Sequence, residues 1–67
     1  MGNLTASVHL KLTRLIIYNY NEAIEVEPDS ADAYYYRADE YLQKGEVKTA
    51  LNDYNQVILL NPNYSSI

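Results

Sequence analysis

The side chains with the most obvious chemical potential are one histidine and its hydroxyl neighbours. On a helix, His9 lies one turn from Thr5 on one side and from Thr13 on the other. A hydroxyl and an imidazole can form a nucleophile–base pair, but catalysis also needs a third group that orients the base. The sequence has no cysteine to serve as an alternative nucleophile. We therefore expect an ordinary hydrogen bond here, and no catalytic triad.

Four carboxylates form the second chemical cluster, around the end of the first predicted helix. They are Glu22, Glu25, Glu27 and Asp29. Carboxylates act as general acids or bases only where a concave site raises a pKa, and three helices offer no deep pocket. The ligand spacing of an EF-hand calcium loop is also missing. The cluster favours a solvated acidic surface, so we expect no enzyme activity, no metal and no cofactor.

Composition narrows the classes of partner. The chain has 67 residues and a net charge of −4, with five scattered cations at Lys11, Arg14, Arg37, Lys44 and Lys48. Binding to nucleic acid or to an anionic membrane surface depends on clustered positive charge, so both are disfavoured. The apolar stretch 8–17 is too short to span a bilayer and lacks the layout of a secretory signal. The sequence predicts a cytoplasmic protein with protein or peptide partners.

Glycine and proline divide the chain into helical segments. Gly45, Pro28 and Pro62 separate three stretches whose apolar residues recur at intervals of three and four, as on one face of a helix. We predict helices at about 5–27, 31–43 and 47–60, in a single small domain spanning 1–67. Asp29 or Ser30 is expected to cap the second helix. The alternating stretch 8–12 could also form a short strand, and the first helix could bend near 11–13.

The stretch 31–64 is 34 residues long and carries large and small residues at regular intervals. The positions are Tyr34, Arg37, Ala38, Tyr41, Gly45, Ala50, Tyr54 and Pro62. These intervals resemble the tetratricopeptide repeat, a helix–turn–helix unit of the same length. The alternative is a generic helical hairpin with accidental spacing. The resemblance implies an all-α fold, in which one long helix precedes an antiparallel helical hairpin.

The resemblance also implies a repeat core and one unusual substitution. The core consists of Tyr34, Ala38, Tyr41, Ala50, Tyr54, Val57 and Pro62. Arg37 occupies the position of the usual leucine, and we expect its stem to cover apolar surface while its charged head reaches solvent. Residues 14–30 resemble the second helix and loop of a preceding, degenerate repeat, since Tyr20 and Pro28 precede Tyr54 and Pro62 by 34 residues.

About one and a half repeats leave apolar surface uncovered, because stacked neighbours normally complete the core. We therefore expect self-association, and exchange of the long first helix between two copies is one route to it. The self-association candidates are Leu12, Leu15, Ile16, Leu51 and Ile58. Two alternatives remain: a purely structural homo-oligomer without a ligand, and a fragment of a longer array.

The family also implies a peptide-binding groove along the first helix of the repeat. The matching positions are Asp32, Tyr35, Asp39, Leu42 and Gln43. Because these residues are acidic, aromatic or apolar, the sequence predicts a preference for basic or apolar peptide segments. The alternative for Asp32 and Asp39 is a helix-start charge and a solvated face. The consecutive residues Tyr34 and Tyr35 are expected in the core and in the groove, with Tyr36 at the edge.

Overall fold

Three helices and one short 3-10 helix make up the chain. The computed structural model describes the backbone of residues 3–65 and the side chains of residues 8–63. Helix α1 spans Asn3–Val26, α2 spans Ala31–Gln43, α3 spans Val47–Leu60, and the 3-10 helix spans Pro62–Ser65. No strand occurs among these residues, so the all-α fold predicted from the sequence is confirmed.

Helix α1 runs without a break through residues 8–13, where a strand or a bend was the alternative. No glycine or proline interrupts its 24 residues, so nothing in the backbone forces the helix to stop. It ends at Val26, next to the pre-proline residue Glu27, whose α conformation Pro28 disfavours. The helix begins two residues earlier and ends one residue earlier than the sequence predicts.

Local signals explain both ends of α2. The Ser30 side chain caps the N-terminus and accepts a hydrogen bond from the Ala33 amide at 3.4 Å, while Asp32 supplies negative charge in the first turn. At the other end Gly45 has φ of +86°, a left-handed conformation that glycine adopts at little cost. The turn lets the Glu46 amide donate to the Tyr41 carbonyl at 2.9 Å and start α3 in the opposite direction.

Helix α2 packs against both α1 and α3 and therefore lies between them. The four-residue connection 27–30 makes α1 and α2 antiparallel neighbours, and the contacts of Tyr20 with Tyr36 and of Asn21 with Arg37 place the end of α2 level with the middle of α1. At 1.5 Å per residue, α1 is roughly 36 Å long and α2 roughly 20 Å. The N-terminal half of α1 thus extends beyond the hairpin, in a molecule measuring 45 × 26 × 19 Å.

Candidate binding surfaces and the network beneath them

The predicted groove residues lie along α2 with graded exposure. Asp32, Leu42 and Gln43 are exposed, whereas Tyr35 and Asp39 are half-buried. Tyr35 lies edge-on to two neighbouring tyrosine rings, so part of its surface already serves packing. Leu42, the apolar member of this set, has a side chain that is exposed to solvent.

Asp39 is tied to α3 by a hydrogen bond. The Tyr54 hydroxyl donates to Asp39 Oδ1. This bond, followed by burial and by the negative charge of Asp39, raises the pKa of Tyr54 to about 12. One carboxylate oxygen of Asp39 is therefore engaged within the chain. The sequence suggested a solvated or ligand-facing acid here, and the structure shows an acid that also joins α2 to α3.

Four tyrosine rings form a continuous row across all three helices. Tyr20 of α1 stacks on Tyr36 of α2, with 6.0 Å between ring centroids and 19° between ring planes. Tyr36 meets Tyr35 edge-on at 5.8 Å, and Tyr35 meets Tyr54 of α3 edge-on at 5.8 Å. Aromatic pairs in such geometries typically contribute about 0.5–1.5 kcal/mol beyond their burial. We call these four residues the tyrosine row.

Carboxylates border the tyrosine row. Burial raises the pKa of Tyr20, and the charge of Glu40 and then the rings and acids beside it raise it further. Tyr36, at 49% exposure, presents part of its ring to solvent within this acidic surrounding. An exposed aromatic face beside negative charge suits a cation or an apolar group rather than an anion.

Arg37 does not send its charged head into solvent, so this expectation was wrong. Its Nε and Nη2 donate to the two oxygens of Asp53 at 2.8 and 2.7 Å, and its Nη1 donates to Asn21 Oδ1 at 2.7 Å. Asp53 is only 6% exposed. The guanidinium turns inward because this acid on α3 offers a paired, two-pronged acceptor, the geometry that a planar guanidinium matches best.

Two tyrosine rings on α2 also hold the Arg37 guanidinium in place. The guanidinium lies 5.4 Å from the ring centre of Tyr34 and 5.9 Å from that of Tyr41, one turn before and one turn after it on α2. Its hydrogen bonds to Asp53 raise the pKa of Arg37, and burial acts in the opposite direction. Three helices are thus joined at one side chain, which we call the Arg37 network with its partners Asn21 and Asp53.

The predicted repeat core is divided between full and partial burial. Ala38 and Ala50 have no exposed surface, and Val57 is buried. The tyrosines at 34, 41 and 54 are half-buried, and Pro62 is exposed at the start of the 3-10 helix. Both alanines lie within the hairpin of α2 and α3, where small side chains let the two helices pack together.

All five self-association candidates are exposed in the single chain. Leu15 is 60% exposed, and Leu12, Ile16, Leu51 and Ile58 range from 37% to 54%. Val26 and Leu59 add further apolar surface at 80% and 74% exposure. The outer sides of α1 and α3 therefore carry large apolar side chains that nothing within the described chain covers.

The residues that were considered for catalysis or metal binding do not come together in one site. His9 and the four carboxylates near the α1–α2 loop are exposed, and the side chain of Thr5 lies outside the described residues. Within residues 3–65 no three potential ligands come close enough to hold a metal ion. Of the helices in that range, none combines the length and the apolar content needed to cross a membrane.

Four buried residues were not predicted from the sequence: Thr13, Ile17 and Ala33 as core members, and Asp53 as a buried acid. For Asp53 a signal existed, because residues 50, 53 and 57 share one helix face and the other two are apolar. An acid on that face, combined with an arginine in place of leucine on the facing helix, indicates a buried ion pair. For Thr13 the signal is its position one turn before Ile17.

Short antiparallel helices of this kind, with small residues at the closest approach and a proline after the second helix, define a helical-repeat protein. The tetratricopeptide repeat model matches residues 31–64, the whole of the α2–α3 hairpin and its following turn. The chain belongs to the tetratricopeptide repeat family. The resemblance predicted from the sequence is confirmed, over the same residues.

Two curated proteins are similar to the chain in sequence. The chain is 42% identical over 45 residues, 67% of its length, to the tetratricopeptide repeat and J domain-containing co-chaperone DNJ1 of Cryptococcus neoformans var. grubii. It is 35% identical over 60 residues, 90% of its length, to serine/threonine-protein phosphatase T of Trypanosoma brucei brucei. The matches span only 9% and 13% of these proteins. No solved structure matches the chain significantly.

The Arg37 network predicts that removal of one charged partner lowers the free energy of unfolding much more than replacement of both partners by apolar residues. Asp53→Ala leaves a largely buried guanidinium without its acid and should lower the free energy of unfolding by about 3 kcal/mol. Arg37→Leu combined with Asp53→Leu should come within about 1 kcal/mol of the original chain, since apolar replacements fill the space without an unpaired charge. Urea denaturation followed by circular dichroism measures both. Asp29→Ala, at an exposed acid, is the control, and a cost for Asp53→Ala no larger than the control's would contradict the network's role.

The Tyr54–Asp39 bond predicts a late-titrating tyrosine. An ultraviolet titration should show one phenol ionising at about pH 12, and Tyr54→Phe should remove that step. The folded-state pKa of Tyr54 lies above the ordinary tyrosine value of 10.0, so the native state retains this proton to higher pH than the unfolded chain does. The stabilisation is therefore complete below pH 10 and is lost as pH rises towards 12. Tyr18→Phe, at an exposed ring, should leave the late step in place.

Proposed function

We propose that this chain is a non-catalytic protein-interaction module that associates with a second copy of itself. The observation that supports this most directly is the uncovered apolar surface on the outer sides of α1 and α3. Tetratricopeptide repeats in general mediate contacts between proteins, and a hairpin of this family normally buries such surface against neighbouring hairpins. A second copy can cover this apolar surface without any other component.

The N-terminal half of α1 strengthens this proposal. Every described residue from Val8 to Leu12 is exposed, so this part of the helix has no packing partner among residues 8–63. Helices gain most of their stability in water from tertiary packing of an apolar face, and short unsupported segments are marginal. The exposed side chains of Val8, Leu10 and Leu12 therefore favour a helix that is packed in the functional state.

Self-association predicts a particle heavier than one chain. Light scattering at micromolar concentration should give at least twice the monomer mass of 7.7 kDa. Leu15→Glu should shift the mass towards the monomer, because the substitution places a charge in an apolar contact. Gln43→Glu adds the same charge at an exposed site on α2 and serves as the control. A well-folded monomer of the original chain at that concentration would overturn the proposal.

The face of α2 supports a second role, the binding of a basic or apolar peptide segment. The supporting observation is the tyrosine row, which is bordered by Asp39 and Glu40 and leaves part of Tyr36 exposed. A lysine or arginine side chain of a ligand can lie over the tyrosine ring and near these acids. Apolar ligand residues can contact Leu42, which is exposed on the same helix.

Peptide binding predicts discrimination by charge. A synthetic peptide of alternating arginine and leucine should bind the chain in isothermal titration calorimetry, and a glutamate–leucine peptide of equal length should not. Tyr36→Ala should weaken binding of the first peptide by about twofold to fivefold, since an exposed cation–π contact contributes about 0.5–1 kcal/mol. Tyr18→Ala, on the exposed side of α1, is the matched control. Equal binding of both peptides would contradict this role.

A further inference from the structure

The exposed side of α1 has a regular pattern of its own. Its members follow one another at intervals of four and three residues, which is the heptad spacing of a helix that pairs with another helix. We call this set the α1 seam: Val8, Leu12, Leu15, Asn19, Glu22 and Val26. All six are exposed, and the four apolar members are between 53% and 80% accessible.

The seam lies opposite the face that packs inside the chain. The inward stripe of α1 consists of Thr13, Ile17, Tyr20 and Ile24, which are buried or half-buried. At 100° per residue the centres of the two stripes are about 150° apart around the helix. Helix α1 therefore has one apolar face for α2 and another that is left for a partner, so a second helix can pack there without displacing the first contact.

Charge along α1 indicates the orientation of that partner. The N-terminal half of the helix carries Lys11 and Arg14, and the C-terminal half carries Glu22 and Glu25, all exposed. None of the four forms an ion pair with another described residue. All four lie on the same side of the seam. When two copies of the helix pair in antiparallel orientation, this side of one copy faces the same side of the other. Lys11 of one copy then faces Glu25 of the other, whereas a parallel pair places like charges at the same level.

We propose that two copies of this chain pair through the α1 seam in antiparallel orientation about a two-fold axis. This inference rests on the proposed self-association and specifies its geometry. Val8 of each copy lies beside Val26 of the other, and Leu15 lies beside Asn19. The seam has two polar members, Asn19 and Glu22, and a polar residue within an otherwise apolar seam restricts the register that the helices can adopt.

The pairing completes the repeat architecture. Consecutive helices of a tetratricopeptide array are antiparallel, and among the described residues no helix lies beside the α1 seam in the place of a hairpin's first helix. The second copy's α1 takes that place, so the two α1 helices form a central hairpin flanked by an α2–α3 hairpin on each side. Three stacked hairpins result, which is the number that repeat arrays generally need for stability.

Disulfide trapping tests the orientation, because the natural chain has no cysteine. Val8→Cys and Val26→Cys chains are prepared separately, mixed and oxidised, and the linked peptides are identified by mass spectrometry. In the antiparallel pair, residue 8 faces residue 26 of the other copy, while the two residues 8 are about 27 Å apart along the axis. A disulfide needs Cα atoms within roughly 7 Å. We therefore expect the mixed 8–26 product to exceed both self-linked products.

Charge reversal provides the second readout. Lys11→Glu and Glu25→Lys should each raise the dissociation constant about tenfold, since each converts two symmetry-related attractions into repulsions. The double variant K11E/E25K should return to within about threefold of the original. Lys48→Glu makes the same charge change at an exposed position on α3 and is the control. Circular dichroism of each variant establishes that the helices remain formed.

The outcomes separate the two proposals. A monomeric mass for the original chain overturns self-association as a whole. A persistent dimer with self-linked 8–8 and 26–26 products, or with no linkage at either position, overturns the antiparallel seam and leaves self-association standing. Failure of K11E/E25K to recover affinity, in a dimer that forms normally, also overturns the seam. Dominant 8–26 linkage together with recovery by the double variant supports it.

Discussion

The inward-turned guanidinium of Arg37 is the constraint around which this small structure is organised. It contacts an acid on α3, an amide on α1 and two tyrosine rings on its own helix. A chain of 67 residues buries too little surface for its core alone to fix the relative positions of three helices. Directional hydrogen bonds at their junction restrict sliding and rotation in a way that nonpolar contacts do not. The leucine expected at this position would give packing without this directionality.

Around this junction, the packing is aromatic on one side and aliphatic on the other. The tyrosine row connects the three helices in addition to the Arg37 network, and its polar hydroxyls let half-buried rings remain compatible with water. Ala38 and Ala50 allow the close approach of α2 and α3. The outer faces of α1 and α3 have no equivalent partner among the described residues, and this difference between a well-connected interior and exposed apolar flanks is the basis of the proposed self-association.

The helices and the repeat were predictable from the sequence because their signals are local. Gly45, Pro28 and Pro62 punctuate the chain, and the spacing of residues 34–62 identifies the family. The ionic junction was not predicted, since the direction of a long side chain depends on what faces it across two helices. Arg37 was expected to point outwards, and only the placement of Asp53 beneath it explains why it does not. The groove residues were located on α2, but the engagement of Asp39 by Tyr54 depends on the same inter-helix geometry. The single-domain assignment and the roles of the surface residues remain predictions.

The junction also has a periodicity that bears on how such a chain can grow. Asn21, which receives the third hydrogen bond of Arg37, has a counterpart exactly one repeat length later: Asn55, exposed on α3. If the segment 31–64 were copied in tandem, the arginine of the new unit would meet Asn55 as Arg37 meets Asn21. The copied aspartate would accept the other two hydrogen bonds of that arginine, as Asp53 does for Arg37. Duplication of a single coding segment would thus reproduce the hydrogen-bonded contact between neighbouring repeats without any compensating mutation. Each copied repeat would carry the residues that bind it to its neighbour, so lengthening of the array by duplication is an accessible evolutionary step.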